Sequence, residues 1–366
     1  VELMVARCSL CGSEGAAAEL GVCGRCIRSK PGQALELAEA AHRRSRQRYG
    51  FAHPPPRGGA AACGECVNEC ELHEGERSPC GLRTCEDGRL KLLPGGEAVV
   101  LAYHDPLPTN CVASWVCAGC SSTGYPEYSH SPGAEIGYRN LAVFYGACSY
   151  DCLFCQNWEF RSNASMLSPR MSPEELASMA DERTSCICYF GGDPAVQMAH
   201  SLRTSRIALE RRQGGILRIC YETNGSMSWG MLRRAVELCL SSGGCIKFDL
   251  KAWDENLHIA LTGASNRRTL ENFARVAEMV EERPSPPLLV ASTLLIPGYV
   301  DVREVEMLAR FISELSPEIP YALLAFHPCY MMADLPATPA SLAEACLRVA
   351  KRYLSNVHLG NVHLLT

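Results

Sequence analysis

Lysine is scarce: of 35 basic residues only five are Lys. Arginine therefore carries nearly all the positive charge, as a GC-rich genome would give, and each lysine becomes informative by its position. Aromatic residues are few, at 7%. No basic block disturbs a net charge of −5, so a nucleic-acid surface is not expected. No apolar run reaches the length of a membrane span and no charged-then-apolar leader is read, so the expected setting is the cytoplasm, away from membranes. Cysteine is the opposite case. The chain has 22, many in C-x2-C and C-x3-C groups. That spacing suits metal ligands in a reducing, anaerobic setting better than disulfides.

The most informative group is Cys148-Ser-Tyr-Asp-Cys152-Leu-Phe-Cys155. Three thiols at this spacing on one loop can hold three irons of a 4Fe-4S cluster and leave the fourth iron open. A zinc or purely structural cluster is the alternative. Cys8, Cys11, Cys23 and Cys26 form two C-x2-C knuckles, a set that predicts one tetrahedral zinc or iron ion with a structural role. Cys63, Cys66, Cys70 and Cys80 form an auxiliary group for a cluster or a single metal, structural zinc included. Cys111, Cys117 and Cys120 add another group.

Four regions are expected: a zinc-ribbon-like knuckle at 1–30, a helix and Pro/Gly linker at 31–62, a cysteine-rich auxiliary region at 63–139, and a catalytic domain at 140–366. Within the last, short apolar runs alternate with amphipathic stretches. They predict strands near 140–147, 184–190, 216–223, 245–250, 287–295 and 321–326. Helices are predicted at 173–182, capped by Ser172, and at 228–241, 268–281, 302–315 and 341–354. Six such units predict an α/β fold, a partial (β/α)6 TIM-like barrel. Its chemistry is expected at the C-terminal strand ends.

Polar motifs fall at those ends. The second strand closes in Gly191-Gly192-Asp193, where glycines permit close approach of the backbone to a ligand. The third closes in Glu222-Thr223-Asn224-Gly225. On the fourth, Asp249 and Lys251 share a face, as an ion pair or as groups that orient a polar cofactor. His327 follows the sixth strand, either as a structural residue or as a cofactor contact.

The C-x3-C-x2-C loop with its preceding aromatic resembles that of radical S-adenosylmethionine enzymes. The stretch Phe248–Lys251 through His258, Thr262-Gly263 and Asn266, with Leu295-Ile-Pro297-Gly298-Tyr299, resembles the glycyl-radical-enzyme activases, among them the pyruvate formate-lyase activators. Cys63–Arg83 and His327–Pro339, with Gly360-Asn361-Val362, are similar to the AmmeMemoRadiSam branch. The resemblance implies that Cys148, Cys152 and Cys155 ligate the cluster. It implies that Gly191, Gly192, Asp193, Asn224, Asp249, Lys251 and His327 surround S-adenosylmethionine. It further implies a 5′-deoxyadenosyl radical acting on a protein or peptide, and an electron donor such as ferredoxin or flavodoxin. An Arg of the activases is replaced here by Ser292, and their ferredoxin-type cysteine runs are absent. The scaffold also resembles that of the cobalamin-dependent enzymes that methylate a glutamine α-carbon in methyl-coenzyme M reductase, which makes cobalamin-dependent methylation the expected reaction. The chain has no D-x-H-x-x-G corrinoid motif.

Overall fold

The computed structural model describes residues 6–366. At its centre lies a nine-stranded sheet, with β1 Ala98–Pro106, β2 Arg139–Tyr145, β3 Arg170–Met171, β4 Thr184–Gly191 and β5 Arg218–Thr223. Then follow β6 Ile246–Asp249, β7 Leu289–Leu295, β8 Tyr321–Ala325 and β9 Val357–Gly360. In space the order is β9-β8-β7-β6-β5-β4-β2-β1-β3. From β2 through β9 the neighbours pair parallel, while β1 and β3 add antiparallel pairings. The sheet is open, with β9 and β3 at its edges. A (β/α)6 count accounts for six strands; β1, β3 and β9 stand outside it.

Alternation along the strands separates two jobs. Leu141, Val143 and Tyr145 on β2, Ile187 and Tyr189 on β4, and Ile219 and Tyr221 on β5 are fully buried in the main core. They pack beneath helices such as Met198–Arg212, Trp229–Ser242 and Arg267–Ala277. Tyr189 lies between Tyr145 and Tyr221, with ring centroids 6.1 and 5.0 Å away. The residues between these face the other way, and on that face the sheet carries polar side chains and thiols. Helix Pro173–Ser178 begins with a capping box: Ser172 accepts from the Glu175 amide, and the Glu175 carboxylate accepts from the Ser172 amide. It ends four residues earlier than the sequence pattern suggests.

Strand β1 lies in the stretch expected to be cysteine-rich and irregular, yet it pairs with β2 from Val100–Tyr145 to Pro106–Arg139. The connection between them, residues 107–138, folds across the polar face of the sheet. Its root is closed by Leu107 N–H donating to Tyr138 O at 3.1 Å. Trp115 stacks on His358 of β9 at 4.6 Å and donates to Asn356 at 2.8 Å. Glu135, fully buried, forms a bidentate pair with Arg218 of β5 at 2.8 and 2.6 Å.

The N-terminal segments are built from short hairpins and the helices Gly24–Ser29 and Pro31–Gln47. They are docked on the domain. Tyr299 OH accepts from Ala17 N–H at 2.8 Å and donates to Val22 O at 2.9 Å. Arg28 pairs with buried Glu304 at 3.1 Å. At Gly24 an added Cβ would stand 2.5 Å from the Gly298 carbonyl, so only glycine permits this contact.

Candidate active site

The cysteine loop leaves the C-terminal end of β2. Its backbone is held from below: Asp151 N–H donates to Thr262 O at 2.8 Å and Leu153 N–H to Leu261 O at 3.0 Å. The Thr262-Gly263 motif thus serves as a cradle for the loop. His258 supports the same turn, with Nδ1 2.7 Å from Ala264 O; burial lowers its pKa to about 4 and keeps it neutral.

Asp151, between the first two cysteines, anchors the loop. Its carboxylate accepts from Ser45 at 2.8 Å and from Arg161 at 3.0 and 2.8 Å, and lies 3.1 Å from His42 Nδ1. Burial opposes its ionisation, but the charges of Arg46 and Arg161 and the His42 contact hold its pKa well below the ordinary value. Arg161 also donates to Cys152 O at 3.2 Å and sits between the rings of Phe160 and Tyr330. Neither Asp151 nor Arg161 stood out from the sequence. The only signal was an acid inside a cysteine loop with an arginine ten residues on.

Cys148, Cys152 and Cys155 line one cavity of about 270 Å³, together with Gly191, Gly192 and Asp193. Asn224, Asp249 and Lys251 complete this polar wall at the ends of β5 and β6. His327 is exposed and lies outside the lining. Burial raises the Cys148 thiol well above its usual value and the Cys152 thiol to about 12. These sulfurs become thiolates when a metal supplies the compensating charge.

The Gly191–Gly192 pair also has a packing role inside the protein. Gly192 N–H donates to Tyr145 O at 2.7 Å and Asp193 N–H to Ala147 O at 2.8 Å. A Cβ at Gly192 would lie 2.3 Å from the Ala147 carbonyl. The glycines let this segment dock on the root of the cysteine loop. Asp193 is likewise spent inside the protein, accepting from Ala195 N–H at 2.7 Å, Thr223 Oγ1 at 2.9 Å and Asn224 N–H at 2.6 Å. It fixes Asn224, whose side-chain amide reaches Ser149 Oγ at 2.8 Å and Cys148 Sγ at 3.8 Å.

Lys251 contacts Asp249 and lies 5.6 Å from the Phe154 ring centroid. Burial opposes its charge, yet Asp249 and the nearby Cys152 raise its pKa. Asp249 Oδ1 is buried with no hydrogen-bond partner among the described residues. Three thiols, a cation and an unsatisfied carboxylate oxygen on one cavity fit an iron–sulfur cluster with a polar, zwitterionic ligand beside it.

The four knuckle sulfurs of Cys8, Cys11, Cys23 and Cys26 lie within 4.8 Å of one another, a spacing suited to a single ion. Among the described residues no other group of three or more metal-binding side chains closes to that spacing. Cys63, Cys66, Cys70 and Cys80 are all buried, and Asn68, between Cys66 and Cys70 in the sequence, donates to Ser149 O at 2.6 Å. This second cysteine region therefore abuts the Cys148–Cys155 loop.

Residues 142–312 match the family model of the Radical SAM superfamily. The chain carries a radical S-adenosylmethionine domain, and with it a cysteine-rich metal-binding region. It is 26% identical over 314 residues to an uncharacterized protein of Methanocaldococcus jannaschii, covering 82% of this chain and 81% of that one. It is 32% identical over 143 residues to the isethionate sulfite-lyase activating enzyme of Oleidesulfovibrio alaskensis, covering 38% of this chain. The match spans 41% of that activating enzyme's length. A crystal structure of a domain of pyruvate-formate lyase-activating enzyme from Bacteroides vulgatus aligns at 20% identity over 48% of this chain and 98% of that one, with a TM-score of 0.38. No described helix is long and apolar enough to cross a membrane.

Proposed function

We propose that the chain is a radical S-adenosylmethionine enzyme that removes hydrogen from the α-carbon of a residue in a protein or peptide. The observation that carries this reading is the shared cavity of Cys148, Cys152, Cys155, Asn224, Asp249 and Lys251 at the C-terminal strand ends. Cys148, Cys152 and Cys155 would hold a 4Fe-4S cluster, and Asn224, Asp249 and Lys251 would hold S-adenosylmethionine. When bound, this pair supplies a 5′-deoxyadenosyl radical by one-electron cleavage of the sulfonium. The protein's part is to bind, orient and exclude water. Lys251 would meet the carboxylate of S-adenosylmethionine, Asp249 Oδ1 would accept from one of its donors, and Phe154 and Phe160 line the same space. A ferredoxin or flavodoxin class of donor would deliver the electron.

The names of the relatives favour an activating role, in which the α-carbon radical is left standing on the substrate protein. Cobalamin-dependent methylation of a glutamine in methyl-coenzyme M reductase is the second reading. It draws on the resemblance of the scaffold read from the sequence, and it requires a corrinoid. The described segment before β1 consists of short hairpins and two helices and adds no βαβ unit that would house one.

Anaerobically reconstituted protein should release 5′-deoxyadenosine under reduction, and Cys152→Ala should abolish the release. Undiminished release by that variant overturns the radical assignment. Peptides deuterated at a glycine or at a glutamine α-carbon separate the two roles. Deuterium entering 5′-deoxyadenosine from glycine supports activation; deuterium from glutamine with corrinoid uptake supports methylation.

A further inference from the structure

Behind the active-site cavity lies a second one of about 480 Å³, walled by the loop 107–138 on one side and by the polar face of the sheet on the other. The two share Asn110, Cys111, Asn157, Phe190 and Glu222. From the covering loop it receives Cys111, Cys117 and Cys120. From the floor it receives Cys186, Cys188, Cys220 and Cys245. The floor positions follow from register. Cys188 is the Cα partner of Cys220 across β4 and β5, and the Cys245 carbonyl, just before β6, accepts from Tyr221 N–H at 3.0 Å. Three thiols thus form a row on adjacent strands, two residues below Phe190, Glu222 and Lys247.

Lys247 is one of five lysines in the chain and is buried, 1% exposed. Its ammonium donates to Cys111 Sγ at 3.2 Å and Cys188 Sγ at 3.1 Å, with Glu222 at 3.6 Å. Buried cysteine often acts as a small hydrophobe. That account fails here. A packed interior does not leave so large a space, and the Lys247 ammonium, paired with Glu222 at 3.6 Å, also turns donor contacts onto two thiol sulfurs of that space. The thiols also lie outside the 4.8 Å mutual spacing that marks a single-ion site.

We propose that this cavity is a second iron–sulfur site, with Cys111 and Cys117 from the covering loop and Cys188 and Cys220 from the floor holding a cubane cluster. Lys247 is its counter-cation. Geometry ties three of the four together: Cys188 and Cys220 are partners on adjacent strands, and Cys111 and Cys188 share the Lys247 ammonium, while Cys117 enters the same cavity from the covering loop. Cys120, Cys186 and Cys245 are then lining thiols. The site is independent of the α-carbon reading, because it uses none of the three loop cysteines.

The test is iron and sulfide content of the full reconstituted chain, with electron paramagnetic resonance before and after S-adenosylmethionine. Cys111→Ala/Cys117→Ala and Cys188→Ala/Cys220→Ala should each lose about four iron and four sulfide per chain, the content of one cubane. Cys188→Ala/Cys220→Ala, whose residues lie outside the active-site lining, should keep the signal that S-adenosylmethionine perturbs. Cys120→Ala/Cys245→Ala should lose neither. Parental iron and sulfide in either ligand pair, or loss of about one zinc without sulfide, overturns the proposal. Lys247→Gln tests it without removing a ligand. Losing the cation should lower the midpoint potential of a signal that S-adenosylmethionine leaves unperturbed, and an unchanged midpoint overturns its role. If both ligand pairs fail to fold, absence of any such second signal in the parent chain overturns the site.

Discussion

The carboxylate of Asp151 is the point where the N-terminal helix, the cysteine loop and Arg161 meet, and its neighbours include two buried guanidinium groups, Arg46 and Arg161. Removing one partner from a buried charge network leaves the others uncompensated. Asp151→Ala should therefore cost about 3–5 kcal/mol, read by denaturant unfolding, and should lower iron retention at the neighbouring loop. Asp151→Asn keeps part of the hydrogen bonding and should lose less. Equal stability of Asp151→Ala and the parent would refute the anchor. At this scale the sequence revealed the candidate cluster ligands more readily than their supports. Cys148, Cys152 and Cys155 announce themselves by spacing, whereas His42 and Ser45 reach Asp151 across 109 and 106 positions, and Arg161, only ten positions on, fits no recognisable pattern.

Among the elements, the connection 107–138 is held to the sheet by the buried Glu135–Arg218 pair. Burial works against ionised Glu135, but Arg218 and Ser185 lower its pKa from 4.5 to about 2. A depressed folded pKa gives stability that is present above the ordinary value and lost as pH falls through the folded one. The loop should therefore loosen between about pH 4.5 and 2. Glu135→Gln should remove that acid dependence and raise amide exchange over 107–138 already at neutral pH. Identical exchange in variant and parent would contradict the assignment. The six strands were legible because each buries one apolar face under helices. Strand β1 was not, since Leu101 and Tyr103 are half exposed and blur its pattern. Strand β9 is four residues long and only partly buried. The covering loop has no period at all; the Trp115–His358 stack and the Glu135–Arg218 pair hold it from distant parts of the chain.

For the whole molecule, the knuckle is a fastening as well as a small fold. A metal held by the four sulfurs would organise Cys8–Cys26, while the knuckle region bonds to Tyr299 and Glu304 and the following helix reaches Asp151. Chelation of that ion from the full chain should raise amide exchange in Pro31–Gln47 and lower the unfolding temperature. Cys11→Ser, at the exposed corner of the site, should reproduce the effect in milder form. No change in exchange after complete metal removal would show that the docking alone suffices.

The alternation of the central strands also bears on how such a protein can be altered. On β4 and β5, packing residues and thiols occupy interleaved positions: Ile187 and Tyr189 between Cys186, Cys188 and Phe190, and Ile219 and Tyr221 between Arg218, Cys220 and Glu222. A chimera that exchanges whole strands with a relative trades core and interior chemistry together. One that exchanges every other residue can rewrite the interior while the helices keep their seat, whereas inserting a single residue within β5 would turn Tyr221 inward and Cys220 out.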